Sequence, residues 1–254
     1  MRQLQLVIGL ALLLASLVAA PSAFAGGFDS WAAVVVAGDA HAHSGAPSEV
    51  FDNGRRDIAK ALTAIGFAQS HILQFSTQPA KDPETHPGNS DTDAIYSAFK
   101  RLAQQASGGC FVYITSHGSQ AGILVGSQIV TPRAVAQLID DSCADKMTVI
   151  VLSACYSGVF IPVLQRDTRM IMTAARRDRT SFGCGETNEY TFFDECVVKS
   201  LPAAPSFPGL ASMVQSCVAQ REKDENATPP SEPQVSIGSV VAGTLANAYA
   251  FSAN

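Results

Sequence analysis

Two reactive groups stand at the ends of apolar runs in this chain. Met147 to Leu152 is one continuous stretch. It gives way at Ser153 to small residues, with Cys155 in their midst and Gly158 at their end. Cys110 to Thr115 is the other, closing on Ser116, His117 and Gly118. A thiol held beside an imidazole is the pairing that cysteine hydrolases use: the thiolate is the nucleophile, and a neighbouring imidazolium stabilises it. A cysteine alone in this setting is as readily a small buried hydrophobe. The chemistry therefore depends on whether the fold brings His117 and Cys155 together.

The elements around them predict that it does. Thr148, Val149, Ile150 and Val151 are β-branched, as in a strand buried on both faces of a parallel sheet. Between the two runs, Thr131 reads as a helix N-cap and Pro132 as the first helical position. Val135, Leu138 and Ile139 share one face of that helix. Strand, helix and strand make a right-handed crossover with parallel strands, about 4.8 Å apart when adjacent. His117 and Cys155 then emerge together at the carboxyl edge of the sheet, where open α/β folds bind ligands. The reaction expected is acyl transfer, with His117 helping to deprotonate Cys155 and then serving the leaving amine and the deacylating water.

The same alternation continues outward. Ala32–Val36 reads as a first strand, 54–65 as a helix with Ile58, Leu62 and Ile65 inward, and His71–Phe75 as a second strand. Residues 77–91 are rich in Pro, Asp, Thr and Gly and read as a long mobile loop containing His86. A helix at 91–105, a hairpin-like segment at 123–130, a short helix at 159–164 and a strand at 170–174 follow. Helices to about Leu201 and over 210–223, a proline-rich linker at 226–233 and an edge strand at 234–241 complete the chain. Asp39, His41 and His43 lie close together after the first strand, but no further ligand stands nearby and glycine and serine mark a solvated loop. No metal or organic cofactor is expected.

Ser-His-Gly after one strand and Ala-Cys-x-Ser-Gly after the next resemble the caspase-like cysteine peptidases, and within them the legumain family of asparaginyl endopeptidases, peptidase family C13. The likeness runs from about Ala33 to about Leu201. It includes the Gly122–Val125 run after the histidine and the segment from Thr173 to Cys184. It implies a caspase-like three-layer α/β sandwich, with a mostly parallel sheet between helices. It also implies an oxyanion hole from the N–H groups of Cys155 and Gly118. Asn53 would orient the histidine and Arg55 would line the specificity pocket, although Arg56 departs from the family's histidine. Asp194 would be one pocket acid, and Ser153 stands where the family has the other. Thr180 and Ser181 would flank the substrate strand. Cleavage after Asn, with Asp accepted as pH falls, is the implied specificity. A transpeptidase or ligase on the same scaffold, and an inactive caspase-like binding module, are the other readings.

At the N-terminus Arg2, the apolar run Leu6–Ala20 and the Ala23-Phe-Ala25 pattern read as a signal peptide over 1–25. The peptidase domain is then 26–254, exported to the periplasm or beyond, with no stable membrane anchor after cleavage. A net charge of -5 over 254 residues gives no support for nucleic-acid binding, so the expected partners are peptides or proteins. An oxidising compartment permits disulfides. Of six cysteines, Cys110 and Cys143 both precede strands and could pair at the sheet's amino edge, or remain two small core residues. Cys184, Cys196 and Cys217 carry no pairing signal.

Overall fold

A computed structural model of the chain describes residues 27–247 and 249–251, so the expected signal segment lies outside the described residues. The first strand, β1 (Ala32–Ala37), is buried at every position, as its unbroken apolar sequence requires. Then come α1 (Val50–Ala64), β2 (Ile72–Ser76), the two-residue β3 (Gly88–Asn89), α2 (Thr92–Gln105) and β4 (Cys110–Thr115). A small antiparallel sheet follows, formed by β5 (Gly118–Ser119), β6 (Gly122–Val125) and β7 (Gln128–Val130). The chain continues through α3 (Pro132–Cys143), β8 (Thr148–Ser153), α4 (Ile161–Leu164), β9 (Arg169–Thr173) and α5 (Phe192–Ser200). It closes with α6 (Phe207–Asp224), β10 (Gln234–Ile237) and α7 (Ser239–Asn247).

The main sheet has the order β10-β9-β8-β4-β1-β2-β3. Every pairing is parallel except β10 with β9 at the edge. Alternate strand residues divide the core into two layers. Val35, Tyr113, Val151 and Met172 face a cluster with Ile58 of α1, Val197 of α5 and Val214 of α6. Val36, Val112, Ile150 and Ile171 face Phe99 of α2 and Ile139 of α3. This is the three-layer sandwich the sequence predicts. Thr131 caps α3 through its hydroxyl, which accepts from the Ala134 N–H, and Pro132 is the first helical residue.

Two elements differ from expectation. Helix α1 begins at Val50, not at Gly54. A helix-interior glycine is normally costly, and here proximity explains it: a Cβ on Gly54 would lie 2.9 Å from Asp194 Oδ2 at the start of α5. The long segment after β2 is anchored rather than loose. Asp82 and Thr85 bond Arg55, and Gly88–Asn89 add a short strand to β2.

Cys110 and Cys143 form a disulfide with their Cα atoms 6.2 Å apart, at the amino end of β4. A second bridge, Cys196–Cys217, ties α5 to α6, and Cys155 and Cys184 are free thiols. Thiol titration of unfolded, unreduced protein should therefore find two reactive cysteines, whereas four or more would mean that a bridge does not form. Replacing Cys110 and Cys143 by serine should lower unfolding free energy by about 3–4 kcal/mol, from the loop-closure entropy of a loop this long.

Candidate active site

Parallel pairing sets the first distance. Thr115 of β4 is in register with Ser153 of β8, and His117 and Cys155 each lie two residues beyond. The two turns meet backbone to backbone: a Cβ on Gly118 would fall 2.2 Å from the Cys155 carbonyl oxygen and 2.9 Å from Ala154 Cβ. Only glycine allows that approach. The Leu124 N–H donates to the His117 carbonyl at 2.9 Å, and Gly118 pairs with Ile123. Because hydrogen-bonded and non-bonded pairs alternate in an antiparallel ladder, the Gly118 N–H is left off it. The Cys155 N–H makes no hydrogen bond among the described residues. Two unpaired N–H groups at one turn are what an oxyanion hole requires.

The chain turns sharply after the nucleophile. Tyr156 is left-handed, with φ 58° and ψ 13°, a conformation unfavourable for a side chain with a Cβ. The turn is stitched to the segment after β9: the Tyr156 N–H donates to the Arg179 carbonyl at 2.8 Å, and Gly158 to Ala175 at 2.9 Å. That segment then reaches the thiol. Cys155 Sγ accepts from the Ser181 N–H at 3.3 Å, with Ser181 Oγ at 3.5 Å. Thr180 precedes it on the surface. The second free thiol, Cys184, has its pKa raised by burial and then by the nearby Cys155.

His117 is held from the β1 side. Its Nε2 donates to the His41 carbonyl at 3.0 Å and lies 3.8 Å from Asp39 Oδ2. Asp39 Oδ1 in turn bonds His41 Nδ1 at 2.8 Å. A bond from Nε2–H to a carbonyl fixes the tautomer and leaves Nδ1 as the basic nitrogen. Phe51, at the start of α1, packs edge-on against the imidazole with ring centroids 5.0 Å apart. Asp39 and His41, which read in sequence as part of a solvated loop, thus support the histidine, and Phe51 carried no sequence signal for its role.

Asn53 does not orient His117. Its amide donates to the Glu189 carbonyl at 2.9 Å and its oxygen accepts from Arg56, because the earlier start of α1 moves it into the helix. Arg55 lines no open pocket. Its guanidinium is fully buried and bonds Asp52 at 2.9 Å, Asp82 at 2.6 Å, Thr85 at 3.2 Å and Gln74. Burial alone would raise the Asp82 pKa, but the Thr85 and Arg55 hydrogen bonds bring it below the usual carboxylate range. Asp194 is likewise 0 % exposed. Its oxygens accept from Tyr113 and Thr115, each at 2.6 Å. Burial raises its pKa against the pull of those hydroxyls, and burial followed by the carboxylate raises that of Tyr113 well above the ordinary phenol value. Ser153 is buried beneath the site, 3.3 Å from Thr191 Oγ1. Arg55, Ser153 and Asp194 thus all lie beneath the surface, bonded to neighbouring side chains.

A free thiol, an imidazole anchored at Nε2 and two unpaired N–H groups crown a mostly parallel sheet between helix layers. The fold is of the caspase-like class. Residues 88–203 match the Peptidase C13 family, the legumain family. Among solved structures the chain is similar to caspase-1 from Spodoptera frugiperda. The TM-score is 0.59 and the identity 14%, over 83% of this chain and 87% of that one. No curated protein matches significantly. The family match over residues 88–203 and the caspase fold together support a cysteine-type peptidase.

Asp194→Ala should test the supporting role. It leaves the Tyr113 and Thr115 hydroxyls without an acceptor, a loss of about 1–3 kcal/mol in denaturant unfolding, while KM for a peptide substrate stays unchanged. A raised KM at undiminished stability would instead make Asp194 a substrate contact.

Proposed function

We propose that the protein is an exported cysteine endopeptidase that cleaves peptide bonds through a thioester acyl-enzyme. The observation that carries this reading is the backbone contact of Gly118 with Cys155, which joins the histidine turn to the nucleophile turn. Cys155 attacks the scissile carbonyl and its proton passes to His117 Nδ1. The oxyanion is met by the N–H groups of Cys155 and Gly118. His117 returns the proton to the leaving amine, and water then resolves the thioester with His117 again as base. The Asp39 carboxylate complements the positive charge the ring acquires, and the His41 carbonyl holds its orientation. The Ser181 N–H donates to sulfur and favours the thiolate.

With Arg55 and Asp194 sealed inside, preference for Asn on the acyl side of the cut keeps its support from the family resemblance. Matched peptides with Asn, Asp, Lys or Ala at that position test it together with the dyad. Wild-type enzyme should favour Asn, and Cys155→Ala and His117→Ala should each lose at least about a thousandfold in turnover. Either variant retaining more than that removes its residue from the chemistry. Greater activity toward Lys or Ala than toward Asn removes the asparaginyl specificity alone.

Export is supported by the pattern of residues 1–25 and by two disulfides, which persist in oxidising compartments. Among the described residues no helix is long and apolar enough to cross a membrane. The mature protein recovered outside the cytoplasm should begin at or within a few residues of Gly26. Intact Met1 in a membrane fraction would show an anchor instead.

A further inference from the structure

The edge of the sheet carries one more feature that this chemistry does not use. Beyond His117, the ends of β1, β2 and β3 and the turn between β6 and β7 enclose a cavity of about 350 Å³. It begins at Asp39 and His41, the residues that hold the imidazole, and extends past Gln78, Asn89, Asp91 and Gln128. Strand order fixes its relation to the scissile bond. Along the edge stand the Ser181 segment after β9, Cys155 after β8, His117 after β4, and then the cavity after β1. By the family resemblance, the acyl half of a substrate lies by Ser181. The amine half must leave past the group that protonates it, which is His117, and so passes toward the cavity.

The reach can be measured in strand spacings. From β8 to β1 is two spacings, or about 10 Å. An extended peptide advances about 3.3 Å per residue, so the second or third residue beyond the cut arrives at the opening.

The lining sets the chemistry. Two acidic residues line the cavity, and no lysine or arginine does: Asp91, and Asp39, whose Oδ1 already accepts from the Ala40 N–H at 2.7 Å. Asp91 uses Oδ1 to accept from the Ala94 N–H as the cap of α2, which leaves Oδ2 available. The amides of Gln78 and Asn89 offer further carbonyl acceptors, while that of Gln128 already accepts from the Thr92 hydroxyl at 2.9 Å. Thr77 also lines it, with a buried Oγ1 that has no hydrogen-bond partner. We propose that this cavity is a leaving-group subsite that takes a lysine or arginine side chain two or three residues past the scissile bond. The proposal rests on the peptidase reading and deepens it, since it gives the enzyme a preference on the side of the cut that the thiol does not hold.

The test uses full-length secreted enzyme and peptides with one fixed acyl half, carrying Lys, Arg, norleucine or Glu at the second and third leaving-side positions. Lys and Arg should raise kcat/KM about fivefold over norleucine, the upper range for a partly exposed ion pair, and Glu should lower it. Asp91→Asn keeps a good helix cap. It should abolish the Lys and Arg advantage while leaving the rate on the norleucine peptides as in wild type. Equal rates across the series, or a basic preference that survives Asp91→Asn, overturns the subsite and leaves the peptidase intact. If no peptide is cleaved and a peptidyl electrophile fails to label Cys155, the peptidase reading falls and the subsite with it.

Discussion

The parallel register of β4 against β8 is the constraint on which the site depends. Thr115 opposite Ser153 puts His117 and Cys155 at equal height above the sheet. One residue of slip would lift one group above the other and turn the alternate side chains of the moved strand to the wrong helix layer. The register is secured from both sides, because Val112 and Ile150 face one layer while Tyr113 and Val151 face the other. A hydrophobic core with no chemistry of its own thus places His117 and Cys155.

Beneath the pair lies a second source of order, and it is polar. Tyr113 and Thr115 reach from β4 to the Asp194 carboxylate, and Ser153 reaches from β8 to Thr191, which caps the same helix. Strand ends and α5 are therefore cross-tied directly under the turns that react. A buried carboxylate carries a desolvation cost that its hydroxyl partners offset only in part, as the upward pKa shift records. A fully bonded polar group fixes one arrangement where apolar packing would tolerate several. Arg55 does the same on the other flank, drawing Asp52 of its own helix and Asp82 and Thr85 of the following loop around one guanidinium.

The strands and the crossover helix were legible because each is written locally: β-branched runs, a capped helix start, and small residues after a buried strand. What was not legible depends on distant partners. Gly54 reads as a helix boundary until Asp194 is seen against it. Charge at a helix start suggests a binding site, yet Arg55 answers to Asp82, 27 residues on. Asp39 and His41 read as a solvated loop, and only the fold sets them against another side chain, His117. Cys196 and Cys217 gave no hint of pairing, because only the packing of α5 on α6 brings them together.

The two disulfides also bear on how the chain can travel. Each closes a loop, one containing α3 and the other joining α5 to α6. Once closed, neither loop can be drawn out into a single extended strand. A narrow pore that passes an unfolded polypeptide one residue wide would stall at Cys110 or at Cys196. Any threading of this protein through such a channel must therefore come before oxidation. The packing of α5 on α6 that brings Cys196 to Cys217 would likewise have to follow any such passage.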